Sequence, residues 1–265
     1  MTVRLAANNL RISHAILEPK VTSLLHAKGL PAIVVTLAFT VLARGLGAVT
    51  YGGAVAGMIA AMCLMFGAGI WGFLPLLTVF ALTAFATRWG YRRKERLGVA
   101  ERSRGRTSSQ VFANLGAAAM CALPVAWLPH TGSILLVGAM AALAEAAADT
   151  VSSEIGQASA HGAYLITDFR SVPIGTNGAV SLEGTLAGCI AASLVAWVSS
   201  WFGLVDWNWT PVIALSGVGG MIIDSFMGAA WENVGKLGND AVNFVSTVFA
   251  ADAALIAAMV AERWR

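Results

Sequence analysis

The stretch Tyr51–Trp89, YGGAVAGMIAAMCLMFGAGIWGFLPLLTVFALTAFATRW, carries no Asp, Glu, Lys or Arg before Arg88, and its reading decides the class of fold. A bilayer span needs about 20 mostly apolar residues. This stretch is long enough for two, with Gly67, Gly69 and Gly72 marking the turn between them. Runs of the same kind recur on both sides, placing spans at about 31–46, 48–68, 70–89, 107–128, 131–152, 180–203, 210–231 and 240–261. They are continuous and rich in Ala, Leu, Val and Gly, which suits close helix packing in lipid. A membrane β-barrel would show short alternating segments instead. The expected fold is therefore all-α, a polytopic membrane helix bundle of about eight transmembrane helices.

Composition agrees. Of 265 residues 57% are hydrophobic and 12% charged, with mean hydropathy +0.72, against about a quarter charged in soluble domains. Residues 1–29 mix apolar and basic positions and read as an N-terminal amphipathic, interfacial segment, leaving 30–265 as one transmembrane catalytic domain. The first long apolar run begins only near Pro31, so the N-terminus is not read as a signal peptide. Cys63, Cys121 and Cys189 stand alone in apolar runs, and the four histidines are scattered, which gives zinc or haem no support. Net charge is only +3, and the basic residues lack interleaved aromatics, so nucleic acid is not an expected partner.

Orientation rests on the loop RRKERLGVAERSRGR (92–106), whose density of arginine places it in the cytoplasm. Eight spans would then put both termini outside, which the basic N-terminal segment opposes. Either the large loop dominates or the span count is off by one. Crossing parity gathers four polar stretches on the side of the basic loop: RGRTSSQVFAN (104–114), DTVSSEIG (149–156), GTNGAVSLEGT (175–185) and WENVGKLGNDAVN (231–243).

Each stretch carries candidates. On the fifth helix Glu145 and Asp149 lie one turn apart, and Ser152 and Ser153 continue that face before Glu154 ends the helix. An intramembrane carboxylate costs about 3 kcal/mol on insertion scales unless it meets a cavity or a cation. A protonated pair hydrogen-bonded between helices would be the structural alternative. Asp224 has glycines four residues to either side, which lets a helix or a ligand approach; Asn239, Asp240 and Asn243 form a polar stripe opening the last helix, where capping competes with binding. In the third stretch Gly175, Gly178 and Gly184 permit the tight turns that cradle phosphate, with Thr176, Asn177, Ser181 and Thr185 as neutral donors. A polar loop capping a helix would use the same residues.

Taken together, Asp149, Glu154, Glu183, Asp224 and Asp240 form an oxygen-rich set suited to one or two Mg²⁺ ions. Arg104, Arg106, Ser108, Ser109, Gln110, Asn114, Ser152, Ser153, Asn239, Asn243 and the glycine turn are the expected phosphate-binding set. Acids beside arginines and glycine turns point to phosphoryl or nucleotidyl transfer.

The motifs ADTVSSEIG, YLIT-F-VP-GTNGAVSLEGTLAG, D-MGA, GNDAVNF and RGRTSSQVFAN resemble, in order and spacing over about residues 44–260, the membrane protein family that includes the phytyl-phosphate kinase of plants and cyanobacteria. A more distant likeness runs to dolichol and phytol kinases and CDP-lipid synthases. The resemblance implies transfer of the terminal phosphate of a nucleoside triphosphate, CTP first, to phytyl or a related isoprenyl monophosphate. The diphosphate product would serve synthesis of tocopherol and related prenyl lipids. It also implies metal binding by Asp149 and nucleotide binding by Ser181, Glu183, Gly184 and Thr185. The distant relatives commonly carry a lysine before the Glu-Gly pair, and GAVSLEG has none, which leaves Arg104, Arg106, Arg170 and Lys236 as replacement cations.

The expected protein is thus a multi-pass enzyme of a bacterial inner membrane, its site facing the cytoplasm. Asp149, Glu183, Asp240 and Arg106 are the expected catalytic residues, Mg²⁺ the cofactor, and a nucleoside triphosphate, a prenyl monophosphate and membrane lipid the partners. The alternatives are a cytidylyltransferase making a CDP-lipid and, less consistent with one-sided clustering, a cation- or proton-coupled transporter.

Overall fold

The computed structural model describes residues 29–100, 105–128 and 132–264. The interfacial segment expected at 1–29 and the candidate Arg104 therefore lie, apart from Gly29, outside the described residues. In chain order the helices are α1 (Leu30–Gly45), α2 (Tyr51–Ala68), α3 (Phe73–Arg88), α4 (Tyr91–Leu97) and α5 (Ser108–Ala122). They continue with α6 (Gly132–Ser159), the strands β1 (Ala163–Leu165), β2 (Ser171–Val172) and β3 (Ala179–Val180), then α7 (Leu182–Trp201), α8 (Thr210–Met227) and α9 (Asn239–Arg263).

All-α is the class observed, with one small antiparallel sheet of order β2-β1-β3 in the α6–α7 connection. Among the described residues, seven helices have the length and hydropathy of a span, α1 at 16 residues being shorter. Gly29, at the start of α1, nevertheless sits against Phe66 near the far end of α2. So α1 runs alongside most of a spanning helix.

The organising element is α6. Every residue from Val137 to Ala148 is buried, and α3, α5, α7, α8 and α9 all pack on it. A helix apolar on all sides belongs inside a bundle, and the alanine-rich sequence GAMAALAEAAA lets five neighbours approach closely. On α7 a side chain at Gly184 would stand 2.6 Å from the Ser152 carbonyl oxygen, so only glycine permits that contact.

The sequence reading ends this helix at Glu154, but α6 continues to Ser159. At 28 residues it is about 42 Å long, more than the ~30 Å hydrocarbon core, so its last turns project into the polar layer. Glu154 remains buried there because Lys94 of α4 reaches it as an ion pair.

Candidate functional site

The site begins with Arg106, which precedes α5 in an extended segment pinned to the α1–α2 turn. Its backbone N–H donates to the Ala48 carbonyl at 3.0 Å, and its carbonyl accepts from the Thr50 N–H at 2.9 Å. Thr107 then starts α5 with a capping box: its hydroxyl accepts from the Gln110 N–H at 3.3 Å, and Gln110 Oε1 accepts from the Thr107 N–H at 2.8 Å. This fixes where the helix begins and which way Arg106 leaves it.

Its side chain enters a polar cavity of about 240 Å³ walled by α5, α6, the 174–181 loop, α8 and the start of α9. Asp149 of α6 and Asp224 of α8 lie in this wall within hydrogen-bonding reach of each other. The Arg106 guanidinium is within electrostatic reach of Asp149, and Glu232 of both aspartates. Asp224 Oδ2 accepts from the Ser246 hydroxyl at 3.2 Å. With its amide oriented so that nitrogen faces acceptors, Asn243 donates to the same oxygen at 3.3 Å and to the Asn239 carbonyl at 3.0 Å. Below them Glu145 is buried, with Oε1 lacking a hydrogen-bond partner.

The same cavity also receives positive backbone ends. The lining residues Gln110, Ser181 and Asn239 stand at the first turns of α5, α7 and α9, so three helix N-termini converge on one cavity. Each N-terminus carries a partial positive charge. Ser181 caps α7, accepting from the Gly184 N–H at 3.1 Å. Gly238 caps α9 without a side-chain hydrogen bond, so neither Asn239 nor Asp240 serves as its cap. The glycine loop closes the cavity: Gly178, at φ +73°, lies against the Ser225 carbonyl and the Ala229 N–H, where a Cβ has no room. Asn233 Nδ2 ties the loop down by donating to the Asn177 carbonyl at 2.9 Å.

Of the residues expected from sequence, the cavity brings together Arg106, Gln110, Asn114, Asp149, Ser152, Ser153, Glu154, Gly175, Thr176, Asn177, Gly178, Ser181, Asp224, Asn239 and Asn243. Ser108, Ser109, Glu183, Gly184, Thr185 and Asp240 do not line it. Ser109 shares a 3.0 Å hydrogen bond with the Thr107 hydroxyl, and Gly184 serves helix packing. Glu183 Oε1 is 3.0 Å from His161 Nδ1. Glu154 touches the cavity, but Oε2 is taken by Lys94. Of the proposed replacement cations, Arg106 lines the cavity, whereas Arg170 pairs with Asp168 at 3.4 Å and Lys236 is exposed away from it. Sequence reading overlooked Glu232 and Lys94. Glu232 stands eight residues after Asp224, a spacing that returns a helix to the same face, and Lys94 was hidden in a basic run read only as an orientation signal.

No group of three or more His, Cys, Asp or Glu side chains is arranged to hold a metal among the described residues. Mg²⁺ asks for less, since it is bound by one or two carboxylates with water and substrate phosphates completing the shell. Two carboxylates facing each other in a cavity, with Glu232 nearby, have the hard oxygen chemistry for such an ion. Asp149 and Asp224 therefore fit.

The chain matches the family model described as integral membrane protein DUF92 over residues 34–251. It is 34% identical over 187 residues to an uncharacterized membrane protein of Synechocystis sp., covering 69% of this chain and 72% of that one. It is also 34% identical over 182 residues to the chloroplastic protein VTE6 of Arabidopsis thaliana, covering 66% of this chain and only 55% of VTE6. An uncharacterized membrane protein of Methanocaldococcus jannaschii is 30% identical over 200 residues, 74% of this chain and 80% of that one. No solved structure gives a significant match.

Proposed function

Because the chain belongs to the DUF92 family of multi-pass integral membrane proteins, we propose that it is a prenyl-phosphate kinase. In this reading it moves the terminal phosphate of a nucleoside triphosphate, CTP in first place, to phytyl or a related isoprenyl monophosphate. The observation that carries the reading is one cavity in which three helix N-termini and Arg106 offer sites for anions while Asp149 and Asp224 offer a site for a cation. Phosphoryl transfer requires that combination. The motif resemblance to the family of phytyl-phosphate kinase supplies the substrate class.

An oxygen of the acceptor phosphate attacks the γ-phosphorus, the bond to the β,γ-bridging oxygen breaks, and the nucleoside diphosphate leaves with those electrons. The acceptor is already ionised, so no strong base is needed; alignment and charge cancellation dominate. Arg106 binds phosphate oxygens through its planar fork of donors. Its backbone is held at both N–H and C=O, which limits how far that fork can wander. Asp149 and Asp224 would hold Mg²⁺, which when bound supplies neutralisation of phosphate charge. Ser181 holds the start of α7 toward the phosphates, and Asn239 lines the cavity at the start of α9. At about 240 Å³ the cavity is below the ~300–1,000 Å³ of sites that enclose a whole drug-sized ligand, so the phosphate chain enters and the base rests outside. In this reading the cavity faces the cytoplasm from a bacterial inner membrane, and the arginine density of the basic loop supports that orientation.

The test uses protein purified in detergent with Mg²⁺, phytyl monophosphate and CTP labelled on its γ-phosphate, repeated with the other nucleotides. Label in a lipid diphosphate supports the kinase. Labelled pyrophosphate with cytidine in the lipid would instead identify a cytidylyltransferase. Absence of turnover from folded protein with every donor and prenyl phosphate overturns the reading.

A further inference from the structure

Arg106 belongs to more than one cavity. On one side it lines the polar site with Asp149; on the other it lines a second, apolar cavity among α1, α2, α3, α5 and α6, and Asn114 is likewise shared. The second cavity is walled by Phe39, Gly57, Leu76, Phe80, Val111 and Leu115. From Thr83 to Leu76 it follows seven residues of α3, about 10 Å along the helix and therefore into the hydrocarbon layer. Two of its polar groups are used within their own helices: the Thr83 hydroxyl donates to the Phe80 carbonyl at 3.3 Å, and Asn114 Nδ2 to the Gln110 carbonyl at 2.8 Å. Phe39 makes edge contacts with Phe73 and Phe80, at 5.1 and 4.8 Å between centroids, so the wall is built of packed rings.

A cavity that is cationic at its junction with a phosphate site and apolar beyond it complements an amphiphile with an anionic head and a hydrocarbon tail. At about 80 Å³ the second cavity has room only for the head-proximal part of a long tail, and we propose that it binds the first isoprene units of the acceptor, with Arg106 at the junction on the tail's own phosphate and the remainder of the tail in lipid. The assignment rests on the kinase reading for the identity of the head group, and it adds where the first isoprene units lie and which residues contact them. Gly57 is the controlling position. It opens the wall of α2 toward Val111, and a Cβ there meets only Val111 Cγ1, at an ordinary 3.9 Å. Leucine is a better helix former than glycine, so Gly57→Leu fills the cavity without opposing the helix.

Two measurements test this. In nanodiscs, geranylgeranyl monophosphate carrying a diazirine on its second isoprene unit is photolysed on the wild-type protein, and adducts are mapped by mass spectrometry. Adducts on α2, α3 and α5 around Gly57, Phe80 and Leu115, competed by unlabelled geranylgeranyl monophosphate, are expected. Adducts spread over outward-facing residues overturn the proposal. So does equal labelling of the cavity by a diazirine phosphatidylglycerol that prenyl phosphate cannot displace, which would make it a resident-lipid site. In the second measurement, Gly57→Leu, checked by thermal melting, is expected to lower the ratio of kcat/KM for geranylgeranyl over dimethylallyl monophosphate at least tenfold. An unchanged ratio overturns the proposal while leaving the kinase reading standing. Competed adducts in the cavity from a protein that phosphorylates no prenyl phosphate support the tail site and remove the kinase.

Discussion

Lys94→Met decides what Glu154 does. Lys94 is fully buried, and its Nζ donates to the carbonyls of Ala86 at 3.0 Å and Thr87 at 2.8 Å, at the C-terminal end of α3, and to Glu154 Oε2 on α6. Removing the ammonium leaves an uncompensated charge on a carboxylate whose side chain is 10% exposed, a loss of about 3–5 kcal/mol. For a chain of this size that is a fall in Tm of roughly 6–20 °C. The double variant Lys94→Met, Glu154→Gln removes both charges and recovers most of the loss. It stays about 1–2 kcal/mol below wild type because the two α3 carbonyls still lack their donor. Glu154→Gln leaves the ammonium its two carbonyl acceptors and should itself cost about 1–2 kcal/mol, so the coupling between the positions should be about 3–5 kcal/mol. The assay is thermal unfolding in detergent of wild type, both single variants and the double variant, alongside the Mg²⁺ concentration that half-saturates turnover. Coupling within about 0.5 kcal/mol of zero would refute the ion-pair argument. A large rise in Mg²⁺ requirement specific to Glu154→Gln would return Glu154 to the metal site that its sequence position suggests.

Asp149→Asn and Asp224→Asn should each lower turnover more than tenfold with unchanged melting; a variant retaining above about a tenth of wild-type activity would remove that residue from the site. Arg106→Lys keeps the charge but not the planar fork, and should cost about 10²-fold in kcat/KM, measured by steady-state kinetics; parity with wild type would count against bidentate phosphate binding. Gly178→Ala forces a Cβ into the Ser225 carbonyl and Ala229 N–H from a backbone at φ +73°, so the loop must lift. Nucleotide KM should rise at least fivefold, and protease sensitivity should increase between β2 and β3.

The sequence alone determined the class of this fold and which polar stretches gather together. Charge-free runs such as Tyr51–Thr87 leave a bilayer as their solvent, and the parity of crossings then brings 104–114, 149–156, 175–185 and 231–243 to one side. Asp149, Arg106 and the glycine turn were legible because an acid, a base and closely spaced glycines are costly beside lipid unless they serve a site. What only the tertiary structure decided is which acid faces which partner. Asp149 and Asp224 meet across two helices, Glu154 is held by a lysine 60 residues away, and Glu183 turns to His161. Periodicity places a side chain on a face of its own helix, but not the rotation of that face toward a neighbour. That rotation follows from small residues of α7 and α8 seating against α6, as Gly184 does on Ser152 and Gly217 on Ala144. Contacts of this kind join residues far apart in the chain, and no local pattern records them.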